Sequence, residues 1–451
     1  MAAKKLVNIC FVANFYKTFF FHELSKALAA NEVVNVYWIV TKLNQYTFLK
    51  ENYPAENILY INRDFINYNN TPVGDFKLNE IVYGDRVFSH EIQNGINFLT
   101  NIQRPIYDFI AANKIRFIFG EITWAHELVI HRMTKHLSEL NCMYLDCSLV
   151  RIPNNRFAFF TDETQYEMLQ FDGEPANKVI QLEKPAYLHI NDKIVKANRS
   201  IFGRMDRVKR FITGENIEKK DPNVIVHTKV RFKVSVEEEI NKSTYRFIPT
   251  TPFNEIENEK YIFIGFHKQP ESSIDVIGRY YEDQAMNVIN LWRLLPQGWK
   301  IVVKEHTNAI GDRSYNFYKR LLKYPNIIIA KENIDSKLLI EKSQLVATVS
   351  GTIAYEAALL KKPAVTFSKV FFTCINYCIH KTIQELSQYQ SLELLVQQLT
   401  EAEDNRLEFS NYLLKNTFDG YITDPVTDKS VLDEANLAKI VKAFYKLFEL
   451  Y

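Results

Sequence analysis

Lys304-Glu305-His306-Thr307 and, one helix-strand-helix interval later, Thr348-Val349-Ser350-Gly351-Thr352-Ile353-Ala354-Tyr355-Glu356-Ala357 hold residue types suited to receiving a phosphate. They supply an ammonium, an imidazole, hydroxyls and a glycine ahead of a helical pattern. A Ser350-Gly351-Thr352 turn would open a helix whose unpaired N–H groups and positive dipole end attract an anion. Lys304 and His306 are expected to add a charge and a donor from the neighbouring strand, and Glu356, one turn into the helix, to meet ribose hydroxyls. Such a set points to a nucleotide-activated ligand. Two further carboxylates, Glu121 after the apolar run Phe117-Ile118-Phe119 and Glu271 after Gln269-Pro270, have the chemistry of an acid/base and of a nucleophile or electrostatic stabiliser. Plainer roles stand beside these: Ser350 and Thr352 as helix caps, Glu121, Glu271 and Glu305 as ion-pair partners, Glu356 as a dipole partner.

The elements that must position these residues follow from hydrophobic periodicity. Trp299 to Val303 and Gln344 to Ala347 are apolar runs that end at the two motifs, so both motifs read as loops at the carboxyl ends of buried parallel strands, where open α/β sheets bind ligands. From residue 261 onward strands and helices alternate, ending at a strand over Ala364 to Phe367, which predicts a doubly wound sheet. The first half opens with a strand at 6–13, a helix from Phe19 to Ala30 and a strand from Val34 to Val40. It is Rossmann-like but has no Gly-rich phosphate loop. A strand at 116–121 brings Glu121 to another carboxyl-end loop. Residues 195–250, dense in charge and poor in periodicity, read as a helical insertion and connection. The expected domains are 1–252, 253–432 and a terminal amphipathic helix at 433–451.

Composition narrows the partners. The chain of 451 residues is 47% hydrophobic, enough for two or three domains with real cores. Lys plus Arg (55) nearly balances Asp plus Glu (53), so net charge gives no reason to expect nucleic acid. The five cysteines lack metal-ligand spacing, which suits reduced thiols in a cytoplasmic protein. The opening run Leu6 to Ala13 is too short for a signal peptide or a membrane span. His126, His131 and His136 recur along one helix without a carboxylate set, so zinc is not expected. The 32 Phe and 25 Tyr residues leave room for peripheral contact with a membrane.

Gln269-Pro270-Glu271, Lys304-Glu305-His306, Ser350-Gly351-Thr352 with Glu356-Ala357, and Gly120-Glu121 followed by Arg151-Ile152-Pro153 resemble the capsule polysaccharide biosynthesis family that includes bacterial Kdo transferases. The resemblance covers about residues 115–165 and 261–370, with Thr307 where the family has proline. The pairing of a His motif with a Ser/Thr motif is also similar to bacterial sialyltransferases, in which these groups hold CMP. The resemblance implies a GT-B fold: two Rossmann-like domains facing across a cleft, the second holding the donor, with a C-terminal helix crossing back to the first. It implies transfer of a 3-deoxy-2-keto sugar acid, Kdo or a sialic-type nonulosonic acid, from CMP to an oligosaccharide or glycolipid acceptor of capsule or lipopolysaccharide. Gln269, Lys304, Glu305, His306, Ser350, Gly351, Thr352 and Glu356 are then the nucleotide site, Glu121, Glu271 and His306 the catalytic set, and Arg151 the partner of the sugar carboxylate. A CMP leaving group carries one phosphate, and the chain has no Asp-x-Asp, so neither a metal nor another cofactor is expected. A UDP-sugar transferase, a UDP-GlcNAc 2-epimerase-like enzyme and a non-catalytic glycan-binding assembly subunit are the competing readings.

Overall fold

A computed structural model describes residues 6–30, 33–183, 221–223, 228–306 and 309–451. Thr307, and residues 195–220 and 224–227 of the expected insertion, lie outside the described residues. The chain forms two compact units, the first built from residues 1–162, 183–226 and 416–451 and the second from 163–182 and 227–415. Both are α/β units with a central sheet, the fold class anticipated above. No helix among the described residues is long and apolar enough to cross a membrane.

The division differs from an expected boundary at 252/253 because packing overrides sequence position. The helix Thr228–Tyr245 belongs with the second unit, where Tyr245 and Ile248 enter the core and the Tyr245 and Tyr318 rings lie 5.4 Å apart. Residues 163–182 also join it, through backbone bonds from Phe371 N–H to Gln165 O and from Gly173 N–H to Lys415 O. The return to the first unit starts at 416, ahead of the terminal helix, with Phe418 pairing Phe157 across an antiparallel edge.

In the first unit, strands β1 (Val7–Val12), β2 (Val34–Val40), β3 (Ile58–Tyr60), β4 (Phe117–Gly120), β5 (Met143–Leu149), β6 (Arg156–Phe160) and β13 (Phe418–Asp419) lie in the order β13-β6-β5-β4-β1-β2-β3. The pairs from β3 to β5 are parallel, whereas β6 runs antiparallel to β5. Ile9, Cys10, Phe11 and Val12 are all fully buried, which a strand covered on both faces requires. Of Phe19-Phe20-Phe21, the last two are core residues and Phe19 is at the surface. The terminal helix Glu434–Leu450 seals this sheet: Phe444 sits 4.6 Å from Phe119 and 5.2 Å from Phe159, and Tyr445 Oη donates to Leu28 O at 2.8 Å. Truncating a buried ring such as Phe444 to alanine would cost about 3–5 kcal/mol.

The second unit places β7 (Tyr261–Gly265), β8 (Lys300–Lys304), β9 (Ile327–Ala330), β10 (Leu345–Thr348), β11 (Ala364–Thr366) and β12 (Cys378–His380) in the order β12-β11-β10-β7-β8-β9, all parallel. In each unit the chain lays down three strands in one direction and then crosses to the other side of the first. The reversal points lie between β1 and β4 and between β7 and β10. Ligands of open α/β sheets bind beyond the carboxyl ends of the strands at such points, because the two outgoing loops diverge there.

Candidate functional site

At the reversal point of the second unit, the loop after β10 runs Val349-Ser350-Gly351 into the helix Thr352–Leu359. Among the described residues no side chain caps this helix, and its first turn has no acidic residue, so the positive end keeps its attraction for an anion. Gly351 is required by close approach: a Cβ there would lie 2.7 Å from Thr348 Oγ1 and 3.2 Å from His267 Cε1. Gly351 N–H donates to Thr348 Oγ1 at 3.2 Å, and Ser350 Oγ donates to Ser273 O. The turn is therefore held before any ligand arrives.

The expectation that Lys304 and His306 stand on the strand beside this turn does not hold, because β7 intervenes between β8 and β10. The residue that meets the turn is His267, two positions past β7. Its ring nitrogen Nε2 lies 2.9 Å from Thr348 Oγ1 and accepts the Ser350 N–H at 3.4 Å. Gln284 grips the His267 backbone from both sides, accepting from N–H at 2.8 Å and donating to the carbonyl at 3.2 Å. Arg313 donates to the same carbonyl and, at 2.6 Å, to Glu305 Oε1. Sequence reading passed over His267, although a histidine directly after an apolar run at the first strand of a Rossmann-like unit is a legible signal.

Glu305 corrects another expectation. Its carboxylate is 1% exposed and is taken up by Arg313, by the Tyr318 hydroxyl and by the His306 N–H at 2.8 Å, so it anchors the loop from inside instead of projecting outward to a nucleotide. Burial raises its pKa, and Arg313 is the main opposing influence. Lys304 points away from the Gly351 turn as well, with Nζ 3.3 Å from Ser336 Oγ at the start of the helix Ser336–Lys342. Burial lowers its pKa against the pull of Asp335. His306 remains at the surface. The protein packed around the ring nevertheless lowers its pKa; Glu271 opposes this and the cations Lys304, Lys268 and Arg313 add to it, which favours the neutral ring as a hydrogen-bond donor or acceptor.

Gln269 and Glu271 flank a cis Gln269-Pro270 bond at the mouth of the same loop. Gln269 Nε2 donates to Asp275 Oδ1 at 3.0 Å while its Oε1 accepts from Gln284, so this amide braces the loop. Glu271 keeps a half-buried carboxylate with one short-range donor, Ser273 Oγ, at 3.1 Å. Thr352 begins the helix and is half-buried; burial, with Asp335 adding to it, pushes the Glu356 carboxyl up to about 7. The second unit thus brings together His267, Ser350, Gly351 and Thr352 at the reversal point, with Gln269 and Glu271 on the loop beside them and His306 linked electrostatically to Glu271.

The first unit builds a different site at its own reversal point. The Glu121 carboxylate, directly after β4, accepts Asn14 Nδ2 at 2.8 Å and Lys17 Nζ at 2.7 Å from the loop and helix that follow β1. Its side chain keeps 33% exposure, whereas that of Lys17 keeps 9%. Burial opposes the Lys17 charge, but Glu121 and then Asp146 outweigh it and leave the pKa raised. Beneath Glu121, the fully buried Glu127 accepts the N–H groups of Glu121, Thr123 and Trp124 at 3.2, 3.1 and 3.1 Å, fixing the turn. Those bonds favour the anion, but burial and the adjacent Glu121 prevail and push the Glu127 carboxyl up to about 8. Gly120 cannot carry a side chain, because a Cβ would collide with the Tyr144 hydroxyl.

Arg151 is exposed, has φ 69° and sits in the turn joining β5 to β6, five residues beyond the Asp146 that pairs with Gly120. His126 is buried, His131 bonds Thr161 O at 3.0 Å and His136 is exposed, so the three do not converge. Among the described residues no three His, Cys, Asp or Glu side chains are grouped to hold a metal.

No protein-family model matches the sequence, and no curated protein sequence matches it. Solved structures similar to the chain include the β-Kdo 2,7 transferase of Thermosulfurimonas dismutans KpsC, at 10% identity, covering 98% of this chain and 99% of that one with a TM-score of 0.39. The β-Kdo 2,4 transferase of the same KpsC is similar at 11% identity over 73% of this chain and 87% of that one, TM-score 0.36. The UDP-GlcNAc 2-epimerase of Neisseria meningitidis bound to UDP-GlcNAc is similar at 13% identity over 98% and 100%, TM-score 0.25.

Proposed function

We propose that the protein is a nucleotide-sugar-dependent glycosyltransferase that moves a sugar acid of the Kdo or nonulosonic type from its CMP donor to a saccharide or glycolipid acceptor. One observation carries the reading: the uncapped helix start at Gly351-Thr352, held open at the reversal point by His267, Thr348 and Ser350. A single helix end with one imidazole, that of His267, bonded to its turn matches a single phosphate, and so favours a nucleoside monophosphate leaving group over a diphosphate. His306 would hydrogen-bond the leaving phosphate, and Glu356 would take the ribose hydroxyls. Lys304 and Glu305 would serve this site indirectly, by holding the strand ends that carry His306. Glu121, set between an ammonium and an amide, would accept the proton of the acceptor hydroxyl. Glu271 would stabilise the sugar's developing positive charge or attack it, and Arg151 would meet a carboxylate of the sugar acid.

Calorimetry tests the donor. CMP should bind more tightly than UDP, and Ser350→Ala and His306→Ala should each weaken CMP by about 1–3 kcal/mol, the range for a hydrogen bond to a charged group. CMP affinity unchanged from the parent protein in both variants, or preference for UDP, would sink the reading. Turnover should persist in EDTA; its abolition by EDTA and rescue by magnesium or manganese would show that a metal compensates the leaving phosphate.

A further inference from the structure

The first unit carries an aromatic surface that the proposed chemistry has not used. Asn14 and Lys17 hold Glu121, and the two residues between them, Phe15 and Tyr16, are 37% and 55% exposed. Phe19 and Leu43, 38% exposed each, continue the surface. Phe15 has φ 39°, a left-handed conformation that a bulky side chain rarely adopts, and Gln45 Nε2 pins its carbonyl at 2.7 Å. Its ring rests 5.2 Å from Trp124, which follows Glu121 by three residues, and Lys42 Nζ lies 5.0 Å from its centre. Strain held in place by surrounding bonds is a mark of a functional position when the strained residue is also exposed at the site.

We propose that Phe15 and Tyr16, backed by Trp124, form a stacking platform for a pyranose ring of the acceptor, with one ring hydroxyl directed at Glu121. This rests on the glycosyltransferase reading and names its acceptor subsite. A pyranose presents an apolar face of C–H groups and a rim of hydroxyls, so it covers the aromatic surface while its rim satisfies Glu121 and Asn14. A lipid surface would cover the same rings but would strip water from the Glu121 carboxylate without replacing its hydrogen bonds, a costly exchange. The observations therefore favour a saccharide.

The test is saturation-transfer NMR on the full chain with the methyl β-pyranosides of glucose and galactose and the methyl glycoside of Kdo as probes. At least one glycoside should receive saturation on its ring C–H protons. Transfer should fall about fivefold in Phe15→Ala, as expected from an aromatic contact, and recover in Phe15→Tyr. Tyr16→Ser, at a more exposed position, gives an independent loss should Phe15→Ala fail to fold. No transfer to any glycoside, or unchanged transfer in folded Phe15→Ala and Tyr16→Ser, overturns the proposal. So does sedimentation with phosphatidylethanolamine/phosphatidylglycerol vesicles that is lost in these variants while glycoside signals are unaffected. CMP calorimetry separates the two readings: CMP binding without glycoside binding removes the platform alone, and absence of both removes the transferase reading.

Discussion

The two reversal points share a backbone plan and differ in charge. Beyond β7 and β10 the chain offers an uncapped helix start, an imidazole and hydroxyls already bonded to one another; beyond β1 and β4 it offers a carboxylate gripped by an ammonium and an amide. One is suited to an anion that arrives with its charge, the other to a proton that leaves a hydroxyl. The contrast teaches that the same strand order gives only the place of a site. Its chemistry comes from a few side chains in the outgoing loops.

The largest effect should come from the buried pair behind the anion site. Glu305→Leu leaves Arg313 uncompensated beneath His267, at a cost of about 3–5 kcal/mol of second-unit stability. Thermal unfolding should show it, together with loss of CMP binding; an unshifted transition would mean the network does not brace the loop. The contrast between sites sharpens with the carboxylates. Glu121→Gln should slow transfer by about a hundredfold or more with CMP affinity intact, since a carboxamide cannot take the proton. Glu271→Gln should abolish transfer, also with CMP bound normally, and for Glu121→Gln with donor intact-protein mass spectrometry should reveal any sugar adduct and peptide mapping should place it on Glu271. An adduct elsewhere, or full activity in either variant, breaks the assignment of roles.

The smallest effect is a pH slope. Glu127 titrates at about 8 in the folded first unit, above its usual 4.5, mainly through burial. Between those values the folded state holds a proton that the unfolded chain releases, so the stability this group contributes is greatest below about 4.5 and declines as pH rises to about 8. Glu127→Gln should flatten that slope in the first-unit transition. It should also lower stability throughout, because whichever way the amide is turned its nitrogen faces a backbone N–H that Glu127 accepts, that of Glu121 on one side or those of Thr123 and Trp124 on the other. An unchanged slope would show that Glu127 ionises in the folded state near the usual carboxylate range.

Much of this was written in local pattern. The apolar runs ending at Ala347 and Phe119 had to be buried strands, observed as Leu345–Thr348 and Phe117–Gly120, and the polar residues that follow them had to be loops, because buried parallel strands read as continuous apolar runs while backbone turns need Ser, Gly and Asn. Ser350, Gly351 and Glu121 were legible for that reason. Which strands lie side by side was not, since that depends on how the chain crosses the sheet. Only the tertiary order β10-β7-β8 put His267 against Thr348 and moved Lys304 to Ser336. Side-chain direction was equally hidden: nothing local told that Glu305 turns inward to Arg313 and Tyr318 while His306, one residue on, stays at the surface. Nor did it tell that Lys17, from a helix a hundred residues earlier, reaches Glu121. Local sequence sets the period of each element; long-range packing selects the partners, because only the assembled sheet removes enough water to make those choices count.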